Sequence, residues 1–509
     1  MNRKLVLIMT LMLLIGMLNV AFNAQKAEAS GTIYIRADGS VDPPTAELSS
    51  NDNMTYSMTG NLNISIVIEK NDILFDGAGY TLQGSGSGNG IELSERNNVT
   101  IRDIEIRGFY QGILIYNFSR GNDVFGIRAI DNWYGGICVD SSANNNITGN
   151  AIVNGMEGII LSGSENNLVS GNNIKGSEFY GLNLISTSNN WVENNEISNC
   201  GWHGIKLWMA SCNNTIDGNN VTDCKVGIEV SYSSNNNTVS ANCLSMNRIV
   251  GVVIGFRIPE SGPDWGGAAD NHIIENNVTS NNLGIELIYS KNNTVFHNNI
   301  EENNASVAII GSYVNTWDDG YPSGGNCWSD YAGVDEKSGS CQNETGSDGI
   351  GDAAYAIDAN NVDHYPLVGM FQSYDVTYFT LPLVAHSCNV TVISNSTVSN
   401  FASLIWIEHP EVIMIEFNVT GEEGTTGFCR VSFPTAMMNS AYHVFVNGTE
   451  VPCTLLPCSN SDYSYLYFTY MHSTDKVTIT PEFPSFLVLP PFMIMTLLAV
   501  KAYKRRTRR

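Results

Sequence analysis

Four pairs of rings recur at one point of a repeating pattern: Phe109-Tyr110, Trp133-Tyr134, Phe179-Tyr180 and Trp202-His203 each stand just before a Gly that an aliphatic residue follows. One residue type at one place on successive turns makes a stripe along the molecule. Flat rings offer apolar faces to sugar rings, and neighbouring Asn and Asp supply hydrogen bonds. Tyr110, Trp133, Tyr134, Tyr180, Trp202 and His203 are therefore candidate glycan contacts. A ladder that only shields the turns would look the same. The stripe breaks at Met156-Glu157 and ends at Lys225-Val226. A seventh candidate, Trp265, lies in an extra loop, Arg257–Gly267, with Pro259 and Pro263, and insertions in repeats often form the binding face.

Catalysis would ask for more. Hydrolysis of a glycosidic bond needs two carboxylates flanking it, and lyase chemistry needs an acidic cation site with a basic residue nearby. The acidic residues of the repeats stand singly, at Glu157, Glu165, Glu178, Glu193, Glu196, Asp217, Asp223 and Glu229. Asp223 follows Glu196 by 27 residues, about four positions out of register with the repeat. No catalytic residue is assigned on that reading, and a solvated face explains the acids. Asp348-Gly349-Ile350-Gly351-Asp352, with Asp335, Asp358 and Asp363 near, offers hard oxygen ligands of the calcium type without the full alternation of a calcium loop. Asp348 and Asp352 are the calcium candidates; no other cofactor is expected. Of eleven cysteines, Cys327 with Cys341 and Cys453 with Cys458 are close enough to be candidate disulfides.

The elements that position these residues follow from internal periodicity. Gly followed by an aliphatic residue recurs at Gly90, Gly112, Gly136, Gly158, Gly181, Gly204, Gly227, Gly251 and Gly284, at intervals of 22–24 residues and a last one of 33. Each opens an alternating strand such as Gly158-Ile159-Ile160-Leu161. An Asn pair and a short strand follow (Asn190-Trp191-Val192), then a third (Gly218-Asn219-Asn220-Val221). Three short strands per repeat cannot bury their apolar faces alone, whereas stacked coils can. The apolar period is two, which excludes helical repeats. Asn tolerates the left-handed angles of the turns and can hydrogen-bond the same Asn one coil away. The expectation is all-β: a right-handed parallel β-helix of about ten three-strand coils, a rod of about 50 Å, followed by a small β-sandwich and a C-terminal membrane helix.

The chain here resembles right-handed β-helix proteins of the NosD-like and carbohydrate-binding/sugar-hydrolase families, over residues 33–370. Ile33–Val41 and Asp76-Gly77-Ala78-Gly79-Tyr80-Thr81-Leu82 look like their N-terminal cap and first coil. Asn315-Thr316-Trp317, Gly325–Tyr331, Gly346–Asp352 and Asp363-His364-Tyr365-Pro366-Leu367 look like their C-terminal cap. Where those families commonly carry Tyr, this chain has Cys327 and Cys341. The NosD name implies copper handling, yet soft-ligand copper sites need clustered Met, His or Cys, and His203, His272 and His297 are dispersed. Cys200 and Cys224, 24 apart, read as a stacked thiol ladder or disulfide.

The chain ends address it outside the cell. Arg3 and Lys4, the apolar Leu5–Val20 and Ala27-Glu28-Ala29 read as a signal peptide cleaved after Ala29, the alternative being an uncleaved membrane helix. Pro481-Glu482-Phe483-Pro484, apolar Phe486–Val500 and the basic Lys501–Arg509 resemble the PEF-type sorting tails of archaeal surface proteins, which implies a membrane anchor. The expected organisation is 1–29 signal, 30–65 N-terminal cap, 66–310 β-helix repeats, 311–371 C-terminal cap, 372–480 β-sandwich and 481–509 anchor. Sixteen Asn-x-Ser/Thr sequons fall between residues 30 and 480 of the 509. With 50 acidic against 25 basic side chains and basic ends, the body would be repelled by nucleic acid, and 43% hydrophobic content excludes disorder. The expected partners are a surface polysaccharide and the membrane. The functional expectation is a non-catalytic, tethered surface protein with glycan-binding or structural roles, the alternative being a carbohydrate-active enzyme.

Overall fold

The computed structural model describes residues 31–256, 267–311, 313–380, 384–406, 409–438 and 441–481. Two compact units are formed, one from residues up to Tyr331 together with Ala354–His364, the other from Ala332–Ala353 and from Tyr365 onward.

In the first unit the chain winds as a right-handed parallel β-helix of about eleven turns. Three sheets of thirteen, twelve and eleven strands run its length. The thirteen-stranded sheet, called the long sheet below, takes in the strands that follow the repeating Gly, and it begins with Thr32–Ile35. Its register follows the Gly spacing: Gln111 pairs with Gly135, Glu157 with Tyr180, Tyr180 with His203 and His203 with Val226. The Gly is sterically required. A Cβ on Gly204 would come within 2.1 Å of Val221 Cγ1 and 2.9 Å of Gly227 O, because the strand turns inward there against the next coil. Behind it two side chains per strand, such as Ile205 and Leu207, fill a fully buried interior of stacked Ile, Leu and Val.

Buried Asn ladders lock the coils together. One runs Asn122, Asn145, Asn167, Asn190, Asn214, Asn237, Asn271, Asn293, Asn315. At each rung one Asn Oδ1 accepts both the backbone N–H and the side-chain amide of the preceding Asn, at 3.0 and 2.9 Å where Asn214 receives Asn190. A second ladder passes from Asn150 through Asn172, Asn195, Asn219, Asn242, Asn276 and Asn298 to Asn326. The ladders end in a cap. Asn361 Oδ1 accepts from Asn315 N and Trp317 Nε1, and Asp363 Oδ2 from Asn326 N and Trp328 Nε1.

The second unit holds two five-stranded antiparallel sheets. One is ordered Met370–Thr380, Val384–Ser394, Thr426–Pro434, Tyr463–Met471, Cys453–Leu455; the other Thr397–Trp406, His409–Thr420, Thr474–Pro481, Tyr442–Val446, Thr449–Val451. They share one core that includes Val390, Val392, Phe417, Val431, Phe433, Phe468 and Ile479. The expected signal peptide and the anchor beyond Pro481 lie outside the described residues. Among the described residues no helix is long and apolar enough to cross a membrane. Of the candidate disulfide pair Cys327 and Cys341, Cys327 is a buried thiol donating to Glu301 Oε1 at 3.1 Å and Cys341 an exposed thiol. Of the pair Cys453 and Cys458, Cys453 is a thiol donating to Tyr442 O at 3.5 Å.

Candidate functional site

The outward side of the long sheet differs from a solvated face. Cys138, Ile160, Asn183, Lys206, Glu229 and Val253 occupy one outward column on successive coils, and all are buried. Outward positions of the eleven-stranded sheet, such as Asn173, Glu196 and Asn220, are exposed. Rings flank the column on both sides. On the N-terminal side of the strands, Tyr110 stacks on Tyr134 (5.2 Å) and meets Trp133 (5.3 Å), while Tyr180 lies 5.4 Å from His203. On the other side Trp208 contacts Tyr232, which stacks on Phe256. Trp133 and Trp202 stand out from this floor at 59% and 47% exposure.

A polar cluster is set into the floor. His203 Nε2 lies 2.6 Å from Glu229 Oε2, and Lys206 Nζ lies 3.5 Å from Glu229 Oε1, which also accepts from Ser231. The Lys206 ammonium sits between two rings, 5.0 Å from the centre of Tyr180 and 4.8 Å from that of Trp208. Glu157 accepts from Asn183 Nδ2 at 2.9 Å, and Asn183 Oδ1 in turn accepts from Trp208 Nε1 at 2.9 Å. At the edge Lys225 lies over the exposed Trp202 ring, 4.2 Å from its centre.

Protonation follows from these surroundings. Burial pushes the Glu157 carboxyl up to about 7, only partly offset by Asn183 and Lys206. Burial also opposes charge on Glu229, but His203, Lys206 and Ser231 together hold its carboxyl below the ordinary value. For His203 burial dominates and lowers the pKa against the pull of Glu229, with Lys206 and Lys225 adding to the lowering. The imidazole is therefore neutral at neutral pH and donates Nε2–H to Glu229. Its Nδ1 is buried and has no hydrogen-bond partner. Burial raises the Tyr180 phenol to about 12, so it keeps its proton.

The structure thus gathers Tyr180, Trp202 and His203 around one cluster, and Tyr110, Trp133 and Tyr134 around a second point three coils away. Trp265 lies outside the described residues. Glu157, Lys206 and Glu229 are what sequence reading missed as a group. Counted from the repeating Gly, Lys206 and Glu229 both fall two residues after it, and Glu157 and His203 both one before. That offset was the available signal. Of the calcium candidates, Asp352 Oδ1 accepts from Lys337 N at 3.0 Å and Asp348 Oδ1 from Ile350 N at 3.1 Å, while the neighbouring Asp335 accepts from Asp348 N and Gly349 N. These carboxylates cap turns.

Fold and face together define a parallel β-helix protein with an aromatic-walled outer sheet. The chain belongs to the NosD family: the family described as periplasmic copper-binding protein (NosD) matches residues 64–253 and 246–333, more than half of it. Among curated proteins none matches. Similar solved structures include the periplasmic alginate epimerase AlgG, 17% identical over 55% of this chain and 84% of that one, TM-score 0.39. DFA-IIIase from Arthrobacter chlorophenolicus A6 is 15% identical over 50% and 67%, TM-score 0.33. The A-module of the Azotobacter vinelandii mannuronan C-5 epimerase AlgE6 is 13% identical over 58% and 93%, TM-score 0.31. At these identities and scores the likenesses decide nothing about activity.

The residues present do not fit the copper that the family description implies. His203 is on the long sheet, His272 on the twelve-stranded sheet, and His297 Nε2 is engaged with Ser323 at 3.2 Å. Cys200 and Cys224 stack inside the coils, each thiol donating to a carbonyl of its own turn, Ser198 O and Thr222 O. Among the described residues no three His, Cys, Asp or Glu side chains converge.

Proposed function

We propose that this protein binds polysaccharide outside the cytoplasm, along the outer face of the long sheet. The observation that carries the reading is the pair of exposed tryptophans, Trp133 and Trp202, each set among further rings on the same side of the same sheet. Three coils separate them, about 14 Å along the axis, so a glycan chain lying lengthwise would meet both. The sequons support the same face. None of the sixteen falls in a strand of the long sheet, whereas Asn146, Asn220 and Asn277 fall in strands of the other two, exposed. Attached glycans would leave the aromatic face clear. Export by residues 1–29 and tethering by the tail from 481 belong to this reading, as does the periplasmic setting of the family.

Affinity gel electrophoresis of the protein against a panel of acidic and neutral polysaccharides tests it. Retention by at least one polymer is expected, lost or strongly reduced in Trp133→Ala and Trp202→Ala with melting temperature unchanged. Retention that both variants keep would remove this face from consideration.

A further inference from the structure

The unpartnered His203 nitrogen is the feature that binding alone leaves unexplained. A buried imidazole normally satisfies both nitrogens. Here Glu229 takes one and fixes the tautomer, leaving the Nδ1 lone pair bare beside Tyr180. That is the form of a general base: held by a carboxylate through one nitrogen, with the other, buried, left without a partner. The proton donor stands one coil away. Tyr180 pairs in register with His203, ring centres 5.4 Å apart, so one sugar ring spans both groups. Around them are Glu157, Glu229, Lys206 and Lys225, the charged groups that bear on this pair. The body between residues 31 and 481 has only seven lysines, and two are here. Lys225, half-buried over the exposed Trp202 ring, offers a cation beside a stacking platform.

We propose that His203 and Tyr180 are the base and acid of a β-elimination site for an acidic, uronate-containing polysaccharide, with Trp202 stacking the sugar and Lys225 pairing its carboxylate. The inference rests on the glycan-binding reading above. His203 Nδ1 takes the C5 proton, which lies next to the carboxylate and is acidified by it. The C5–H electron pair forms the C4=C5 double bond as the C4–O4 bond breaks, and the departing oxygen takes the Tyr180 phenol proton. The products are an unsaturated sugar end and a new reducing end; the imidazolium proton then returns to the phenolate, and no co-reactant is consumed. Glu229 positions His203. It is not a hydrolase's second carboxylate, because His203, Lys206 and Ser231 occupy its oxygens.

The test incubates the full chain with soluble polymannuronate, polygalacturonate and polyglucuronate, with a neutral glucan as control. Ultraviolet absorbance of the conjugated double bond is followed, and gel retention is measured in parallel. An absorbance rise with one polyuronate is expected, reduced about 100-fold or more in His203→Gln and in Tyr180→Phe, both keeping retention. Lys225→Ala is expected to raise KM and leave kcat. Retention of a polyuronate without any unsaturated product overturns the elimination site and leaves binding standing. Product formation unchanged in Tyr180→Phe also overturns it, even if His203→Gln fails to fold. Retention of no polysaccharide at all defeats the binding reading and this inference together.

Discussion

Glu157 and Glu229 show how two identical side chains on one sheet acquire opposite character. Glu229 has a lysine, an imidazole N–H and a hydroxyl around it and keeps its charge, whereas Glu157 has one amide and stays protonated up to about 7. An unfolded Glu157 would release its proton near 4.3. Between those values the folded state binds more protons, so the stability this group contributes is full below about 4.3 and is lost as pH rises through about 7. A Glu157→Gln variant should therefore flatten the decline in stability between pH 4.5 and 7.5, by up to about 3 kcal/mol, read from denaturant midpoints at each pH. Removing Glu229 acts differently. Glu229→Ala leaves Lys206 buried without its countercharge and should cost about 3–5 kcal/mol in urea unfolding. Neither residue was legible as part of a site by scanning for paired acids. Asp223 is not the equivalent of Glu196, which pairs with Asn220, and only the offset from the repeating Gly places Glu157, His203, Lys206 and Glu229 on one face.

The strands and turns were far more legible than the site, because one rule repeats. Gly marks the inward bend, aliphatic residues alternate behind it, and the Asn pairs announce the ladders. What the Asn pairs did not announce is that their two members part company. Asn145 is a buried rung while Asn146, its sequon-bearing neighbour, is exposed, since adjacent residues of a strand face opposite ways. The rungs are where the coils are held. Asn195 accepts from Asn172 N and Nδ2 and donates to Val169 O. Asn195→Ala would take the side-chain partner from Asn172 N and Val169 O and one of the two bonds of Asn172 Nδ2, which keeps Ile147 O at 2.8 Å, at about 1–3 kcal/mol for each buried group left unpaired, and is expected to lower the urea midpoint more than removal of any single exposed sequon Asn such as Asn146→Ala. If the two variants unfold alike, the ladder is not what holds the coils. The rings that precede the strands are legible from the repeat, whereas the second wall of Trp208, Tyr232 and Phe256 is not, because those rings come at or after the strand's end, away from the repeating Gly.

At the scale of the whole molecule the first unit is a stack in which each coil touches its neighbours and little else, so it should tolerate loss of a coil but not of part of one. Asn276 and Asn298 are successive rungs 22 residues apart. Excising residues 276–297 joins Glu275 to Asn298 in phase, and the product should remain β-rich by circular dichroism with one cooperative, lower melting transition. Excising half that length should leave no folded protein. A folded half-coil deletion would contradict the stacked register. The same register bears on the interval between Asn237 and Asn271. Those two are 34 residues apart where other rungs of that ladder lie 22–24 apart, yet the amide contact between them is 3.0 Å, like its neighbours. Length added at that corner leaves the phase of every later coil intact. The corner is thus a site at which descendants of this chain, or a designer grafting a peptide, can change what the molecule carries without renegotiating how it folds.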